Sequence, residues 1–258
     1  MVIDLHPEFG LELTLGITYA YWLHERGELE KVRTVKGMKP FYYFCDNVEE
    51  VYEHRTIDNK AAGLDNLPNN WIHHNAVALF GRDYGELTIE EQNTCNGRLD
   101  YSKWSVPPYK ETYSTGKFNS DKPTIFVSNR YNFEHGKKPL GYFDIPFLNE
   151  TFNYLTENKY NVIYKRPKNN EFALDQNEMS ALLNGYTDIV SDIDGIGHMT
   201  DYQLTEYYDD VTLMDDLITS SGYELPTDTN NYNKIQLQIL SSCNSCLLQN
   251  NHFFYTRC

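Results

Sequence analysis

The sequence is poor in basic residues and has no long apolar run. Lys and Arg together number 22 against 37 Asp and Glu, so the formal net charge is −15. A surface this acidic repels a nucleic-acid backbone and an anionic membrane, which disfavours both as partners but leaves room for a local basic pocket. No stretch reaches the roughly 18 apolar residues of a membrane span, and the first residues lack the pattern of a secretory signal. We therefore expect no membrane span and a cytoplasmic location.

Cysteine is also scarce, with five residues that are too few and too scattered for a disulfide framework. Cys243 and Cys246 form a single Cys-x-x-Cys pair between a predicted helix and a predicted strand, which is the wrong place for a thioredoxin-type redox site. Buried structural thiols are therefore favoured over redox chemistry or zinc binding. The sequence also lacks a Gly-rich phosphate loop, a Gly-x-Ser-x-Gly elbow and a His-Glu-x-x-His motif.

Short apolar segments alternate with amphipathic ones along both halves of the chain. Val2–Leu5 and Thr124–Ser128 are apolar or β-branched and predict buried strands. Leu11–Gly27 has apolar residues at helical spacing and ends on glycine, and Asp144 with Pro146 predicts the start of another helix. Further strands are predicted at Val32–Val35, Asn161–Tyr164, Val211–Met214 and Cys246–Leu248, and a further helix at Tyr232–Leu240. This alternation predicts an α/β fold with mostly parallel sheets.

A stretch poor in aliphatic residues separates the two halves. Residues 105–123 contain three prolines, one glycine and many Ser, Thr and Lys residues, so they are predicted to form a linker or a long surface loop. The sequence therefore predicts an N-terminal domain at residues 1–104 and a C-terminal domain at residues 124–258, with a cleft between them.

Two candidate proton acceptors follow the first predicted strand. His6 and Glu8 lie in the loop at its carboxyl end, where ligands of open α/β sheets bind. Either side chain could act there as a general base. Alternatively, Glu8 and Glu12 only complement the dipole of the helix that follows.

Two arginines follow neighbouring strands in the second half. Arg130 comes shortly after Thr124–Ser128, and Arg166 after Asn161–Tyr164. Guanidinium groups at adjacent strand ends would form a positive pocket for the diphosphate of a nucleotide, which arginine binds through paired hydrogen bonds. The alternative is that both are surface arginines paired with nearby carboxylates.

Asp192 and Asp194 form an Asp-x-Asp triplet. Such a triplet could hold a divalent cation against a sugar-nucleotide diphosphate, as in metal-dependent glycosyltransferases. Chance triplets are common in a chain this rich in aspartate, and the glycine-containing segment 195–197 follows directly. A turn is therefore favoured over a metal site, and no metal is expected.

Four segments together resemble a group of glycosyltransferases from large DNA viruses and bacteria. They are Tyr19–His24, Lys36–Phe44, Ser128–Asn132 and Val162–Pro167. The nearest likeness is to the chlorella-virus enzymes that build the glycans of the capsid protein, one of which is similar to a xylosyltransferase. The resemblance implies two Rossmann-like domains facing a cleft, in a GT-B-like fold. It also implies a nucleotide-sugar donor such as UDP-xylose, a glycan or glycoprotein acceptor, and action in the cytoplasm during virus assembly.

The resemblance assigns donor-binding roles to residues of the second half. Asn129 and Arg130 match the motif at the first strand end, and Arg166 matches the arginine at the second. Tyr232 and Gln236 match a Tyr-Asn-x-x-Gln-Leu helix beside the donor cleft.

The sequence departs from this group after the last predicted strand. Relatives carry a glycine pair there, which lets backbone N–H groups approach a diphosphate. Residues 249–258 contain no glycine. The C-terminal domain is therefore expected to be shortened.

The leading hypothesis is an inverting, metal-independent glycosyltransferase that needs no cofactor besides its nucleotide-sugar substrate. Glu8 or His6 would deprotonate the acceptor hydroxyl, and Arg130 and Arg166 would neutralise the leaving diphosphate. Two alternatives stay open. One is a metal-dependent transferase that uses the Asp192–Asp194 triplet, and the other is a non-catalytic protein that binds a glycan or a nucleotide.

Overall fold

The computed structural model describes residues 1–56, 58, 61–68, 76–77, 79–96, 101–129, 143–166, 190–193 and 197–248. The chain divides into two units, Met1–Pro107 and Pro108–Cys258. The boundary falls inside the stretch 105–123 that the sequence predicts to be a linker. Each unit contains its own parallel sheet.

The sheet of the first unit has three parallel strands. β1 is Val2–Asp4, β2 is Lys31–Val35 and β3 is Val48–Tyr52. They are ordered β1-β2-β3. β1 and β2 confirm two predicted strands. β3 lies in a region that the sequence left unassigned, because its two adjacent glutamates break the apolar pattern and none of its residues is fully buried.

Helix α1 follows β1 and is built from three successive segments. The turn Phe9–Leu11 leads into a π-helical stretch, Glu12–Gly16, and then into the α-helix Ile17–Glu25. Gly27 ends the helix in the left-handed conformation, with φ +69°. Its N–H donates to the carbonyl of His24 at 2.9 Å, as in a glycine-capped helix end. The predicted helix is confirmed and starts slightly earlier than expected.

Short helical segments complete the described part of the first unit. Helix α2 is Ile89–Asn96. Turns of 3₁₀ helix lie at Lys39–Tyr42, Leu64–Asn66, Tyr84–Glu86 and Tyr101–Lys103. Phe41 and Tyr42 are buried, so the apolar segment after β2 packs in the core as a 3₁₀ turn.

Residues 105–123 contain regular structure. Helix α3, Tyr109–Tyr113, lies within them, and the rings of Tyr113 and Phe118 are buried. Phe118 packs in an apolar cluster of the second unit. These aromatic rings provide buried surface that the scarcity of aliphatic residues did not indicate. Most of the predicted linker therefore belongs to the second unit.

Helix α4, Ile145–Glu157, separates the first two strands of the second unit, β4 at Thr124–Ser128 and β5 at Asn161–Lys165. β6, Val190–Ile193, and β7, Gly197–Thr200, pair antiparallel as a separate hairpin. Next come helix α5 at Asp201–Thr205 and strand β8 at Val211–Leu213. They are followed by helix α6 at Met214–Ser220, helix α7 at Thr229–Ser242 and strand β9 at Ser245–Leu248. The main sheet is parallel, in the order β8-β5-β4-β9. Its four strands were all predicted.

Helices cover both faces of this four-stranded sheet. Val162 and Tyr164 of β5 pack with apolar residues of α4 and α5 on one face. Ile163, between them in the chain, packs with α6 and α7 on the other face. This alternation is the two-residue period of a β-strand, with both faces buried.

The described architecture is an α/β fold with parallel sheets, which confirms the predicted fold class at that level. The predicted start of α4 is also confirmed, because the carboxylate of Asp144 accepts a hydrogen bond from the N–H of Phe147 at 2.9 Å. Within the described parts of the chain, no helix has the length and apolar character needed to cross a membrane.

Gly63 offers a test of the packing in the first unit. It has a left-handed backbone, with φ +83°, and a Cβ atom there would collide with the carbonyl oxygen of Asp4 at the end of β1. We expect Gly63→Ala to lower the free energy of unfolding by about 2–4 kcal/mol, because a backbone clash adds to the left-handed strain.

Gly27→Ala is the matched control. Gly27 also has a positive φ, but a Cβ atom there would meet nothing within 4 Å. Its substitution should cost only about 1–2 kcal/mol. Urea unfolding followed by tryptophan fluorescence reports on this unit, because all three Trp residues lie within residues 1–107. Equal losses in the two variants would contradict the predicted clash.

Candidate functional site

The residues singled out from the sequence lie where parallel strands end. His6 and Glu8 follow β1 in the first unit, and Asn129 and Arg166 follow β4 and β5 in the second. Ligands of α/β sheets bind at the carboxyl ends of the strands. Each unit therefore has one edge at which polar side chains collect.

His6 is held through both its backbone and its ring. Its N–H donates to the carbonyl of Ala62 at 3.1 Å, and its own carbonyl accepts from the N–H of Thr56 at 3.0 Å. The imidazole stacks on the ring of Tyr52, with 4.0 Å between the ring centroids. The position of this candidate base is thus determined by three contacts.

Partial burial lowers the pKa of His6 below its ordinary value. The carboxylates of Asp4 and Glu12 act in the opposite direction, and the guanidinium of Arg55 lowers the pKa further. At neutral pH the imidazole is therefore uncharged and able to accept a proton.

Glu8 stands at the N-terminal end of α1. It occupies the N-cap position, its side chain makes no capping hydrogen bond, and its carbonyl accepts from the N–H of Glu12 at 3.0 Å. A Cβ atom at Gly10 would lie 3.1 Å from the Glu8 carboxylate, so this side chain folds back over the first helical turn. A carboxylate here complements the helix dipole. The residue is half-buried, so solvent reaches it.

Glu12 is the centre of a buried ionic network. Its side chain is 0% exposed and that of Arg55 is 2% exposed, with 2.6 Å between carboxylate and guanidinium. Tyr42 donates to the same carboxylate at 2.9 Å, and Thr34 donates to it as well. The Nη1 of Arg55 also donates to the carbonyl oxygen of Pro7 at 2.8 Å. The network therefore connects the core of the first unit to the loop after β1.

The end of β5 directs two cations to opposite faces of the second sheet. Arg166 contacts Asp201 of α5, whereas Lys165 contacts Gln236 of α7. Successive residues of a strand point to opposite faces, so these neighbours cannot share a pocket on one face. Lys165, and not Arg166, faces α7.

Arg166 forms an ion pair with a buried carboxylate. Its Nε and Nη2 donate to the two carboxylate oxygens of Asp201, at 3.1 and 2.8 Å. Asp201 is fully buried and also accepts a hydrogen bond from Tyr164 at 2.9 Å. Burial raises the pKa of Tyr164 well above its ordinary value, so this phenol stays a neutral donor. Arg166 thus matches the alternative weighed from the sequence, an arginine paired with a nearby carboxylate.

Asn129 uses its amide inside the protein. Its Nδ2 donates to the carbonyl of Phe143 at 2.8 Å and to the hydroxyl of Tyr164 at 3.1 Å, and its Oδ1 accepts from the N–H of Phe143 at 2.9 Å. These bonds fix the backbone on either side of residues 130–142. Arg130, the other predicted arginine, lies outside the described residues.

Lys165 brings together two of the predicted donor-binding residues. Its Nζ lies 3.3 Å from Oε1 of Gln236 and 5.8 Å from the centroid of the Tyr232 ring. Ser128 is paired with Lys165 across the sheet and lies at the end of β4. Because α7 leads into the parallel strand β9, its first turns lie at the carboxyl edge of the sheet. We call Lys165, Tyr232 and Gln236 the Lys165 cluster.

The Asp-x-Asp triplet lies only partly within the described residues. Asp192 is in β6, and Asp194 falls outside the description. In the parts of the chain that the structure describes, no group of three or more His, Cys, Asp or Glu residues is arranged to hold a metal ion. The metal-dependent alternative therefore keeps only its basis in the sequence.

The sequence did not identify Lys165 or the partner of Glu12. The two-residue period of β5 indicates which face Lys165 occupies, because Lys165 follows Ile163 by two residues and must share its face. The pairing of Arg55 with Glu12 has no local signal in the sequence, because the two residues are 43 positions apart and Arg55 lies in a region without a regular apolar pattern.

Comparison of the chain with family models, with curated proteins and with solved structures finds no match.

His6 predicts a pH dependence of stability in the first unit. Because folding lowers its pKa below the ordinary 6.5, the unfolded chain binds a proton more readily than the folded chain. The contribution of His6 to stability is therefore complete above pH 6.5 and is lost as the pH falls below it. NMR titration of the ring should give a pKa under 6.5.

Urea unfolding at several pH values measures the same effect. The free energy of unfolding should decrease as the pH falls below 6.5 in the wild type, and less steeply in His6→Gln. A ring pKa at or above 6.5, or the same slope in both proteins, would contradict this assignment.

Proposed function

We propose that the protein is a GT-B-like glycosyltransferase that moves a sugar from a nucleotide-sugar donor to a glycan acceptor. The observation that carries this proposal is the Lys165 cluster at the carboxyl edge of the second sheet. A cation, an aromatic ring and an amide suit the phosphate, base and ribose of a nucleotide. The sequence resemblance supplies the reaction class, with UDP-xylose as the expected donor and a viral capsid glycoprotein as the expected acceptor.

In this proposal Lys165 takes the donor-binding role that was predicted for Arg166. The residue is 5% exposed, so its charge acts in a poorly solvated environment, where an ammonium group stabilises a phosphate more strongly than in water. Negative charge grows on the leaving diphosphate as the bond to the sugar breaks. A positioned cation at that place can replace a metal ion. Arg130 keeps the donor-binding role predicted from the sequence.

The base in this proposal is a side chain of the loop after β1, which carries His6 and Glu8. Glu8 or His6 removes the proton of an acceptor hydroxyl, whose oxygen attacks the anomeric carbon of the sugar. The bond from that carbon to the diphosphate oxygen breaks, and its electron pair leaves with the nucleoside diphosphate. Because this is a single displacement, it inverts the configuration at the anomeric carbon. The fixed position of His6 favours it as the base, and its lowered pKa keeps the ring able to accept a proton at neutral pH.

A second candidate is a non-catalytic protein that binds a nucleotide or a glycan. The ion pair between Arg166 and Asp201 favours it, because this arginine is engaged within the protein. The pair removes one of the two guanidinium groups expected to neutralise a leaving group. A protein of this kind would bind UDP-xylose without forming a product.

Donor binding is tested by isothermal titration with UDP-xylose. We expect Lys165→Met to weaken binding by about 10-fold or more, because a hydrogen bond to a charged group contributes about 1.5–3 kcal/mol. Lys117→Met is the matched control, because Lys117 is exposed and also lies over an aromatic ring, 3.8 Å from the centroid of Tyr223. Equal affinities in the two variants would contradict the proposed donor site.

Product formation separates the two candidate functions. We expect Glu8→Gln or His6→Gln to abolish sugar transfer from UDP-xylose to capsid glycan while UDP-xylose affinity stays at the wild-type value, since the base contacts only the acceptor. Mass spectrometry of the acceptor measures the transfer. Wild-type binding without product would favour the non-catalytic candidate, and full transfer by both variants would remove these residues from the mechanism.

A further inference from the structure

We propose that Arg55 is a positioning residue that holds the loop carrying His6 and Glu8 in the geometry needed for proton transfer. This role rests on the proposed function, because that function gives the loop its base. Arg55 lies far from the loop in the chain but contacts it directly through a backbone carbonyl. The sequence assigned it no role.

The contacts of Arg55 join the loop to the core. Its Nη1 donates both to the carbonyl of Pro7 at 2.8 Å and to the carboxylate of Glu12 at 2.6 Å. Its guanidinium carbon lies 5.2 Å from the centroid of the Phe9 ring. Pro7 and Phe9 flank Glu8, so the guanidinium contacts the chain on both sides of that candidate base.

The residues beyond Arg55 complete this arrangement. The N–H of Thr56 donates to the carbonyl of His6 at 3.0 Å, and the N–H of His6 donates to the carbonyl of Ala62 at 3.1 Å. The segment that carries Arg55 therefore binds the loop at His6 as well as at Pro7. Arg55 and its neighbour Thr56 thus contact the loop at successive residues, Pro7 and His6.

The other end of the ion pair is equally fixed. Glu12 accepts hydrogen bonds from Tyr42 and Thr34, which lie on separate elements of the core. Glu12 also opens the π-helical stretch of α1, and such stretches are frequent at functional sites.

Stability alone gives no reason for a charged pair at this place. Removing two charges from water costs several kcal/mol for each ion, and apolar residues of similar volume often stabilise a core as well or better. The ion pair instead fixes the orientation of the guanidinium, because a guanidinium held by a carboxylate presents its remaining N–H groups at defined positions. Here Arg55 donates a hydrogen bond to the carbonyl of Pro7 in the loop.

The test uses variants that leave no buried charge without its partner. Arg55→Met alone leaves Glu12 buried without its cation, so the double variant Glu12→Gln/Arg55→Met removes both charges together. Arg55→Lys keeps the charge but loses the planar fork. Arg26→Met is the matched control, because Arg26 also pairs with a carboxylate, that of Glu28, and lies over an aromatic ring, but it is exposed.

Hydrogen exchange of backbone amides, followed by NMR, gives a readout that does not depend on sugar transfer. In the double variant and in Arg55→Lys we expect exchange at His6 and Thr56 to accelerate by roughly 10-fold or more, because their hydrogen bonds hold the loop. The amide of Val32, which bonds to the carbonyl of Asn47 in the core of the sheet, should keep its rate. Equal acceleration at all three amides, or none at His6 and Thr56, would overturn the proposal.

The kinetic readout tests the link to the reaction. We expect kcat for transfer from UDP-xylose to fall by roughly 10-fold or more in both variants, with KM for the donor unchanged, since Arg55 acts on the base and not on the donor. Unchanged kcat in an active enzyme would overturn the positioning role. A wild type that forms no product would overturn the proposed function instead, and amide exchange would still decide whether Arg55 holds the loop.

Discussion

The candidate site of the second unit depends on the two-residue period of β5. Tyr164 and Arg166 turn towards α5, where Asp201 receives hydrogen bonds from both, and Lys165 turns towards α7. One strand therefore separates a structural ion pair from the cation that we assign to the donor. A pocket that used Lys165 and Arg166 together on one face is sterically incompatible with the strand. The choice of ligand-binding cation follows from this geometry rather than from charge alone.

Both units contain an arginine paired with a buried carboxylate near the place where strands end. In the first unit it is Arg55 with Glu12, and in the second it is Arg166 with Asp201. In each case tyrosine donates to the same carboxylate, so the buried charge is well solvated by protein groups. These pairs give the loop after β1 and the end of β5 fixed positions.

Elements with a regular apolar pattern were predictable from the sequence, and contacts between distant residues were not. The apolar strand at Thr124–Ser128 and the N-cap at Asp144 were identified because their signals are local. β3 was missed because a half-buried strand with two glutamates resembles a loop. The pairing of Arg166 with Asp201 depends on a fold that brings together residues 35 positions apart, so the sequence left both possible roles of this arginine open. The positions of His6 and Glu8 at the end of β1 followed from the strand itself, whereas the network behind them did not.

The most direct measurement of the central assignment is a crystal structure of the full chain with UDP bound. The account predicts phosphate oxygens within hydrogen-bond distance, about 2.7–3.2 Å, of the Lys165 ammonium on the α7 face of the second sheet. It also predicts that the ion pair between Arg166 and Asp201 stays intact. UDP bound on the α5 face with Arg166 withdrawn from Asp201, or bound away from both cations, would contradict the account.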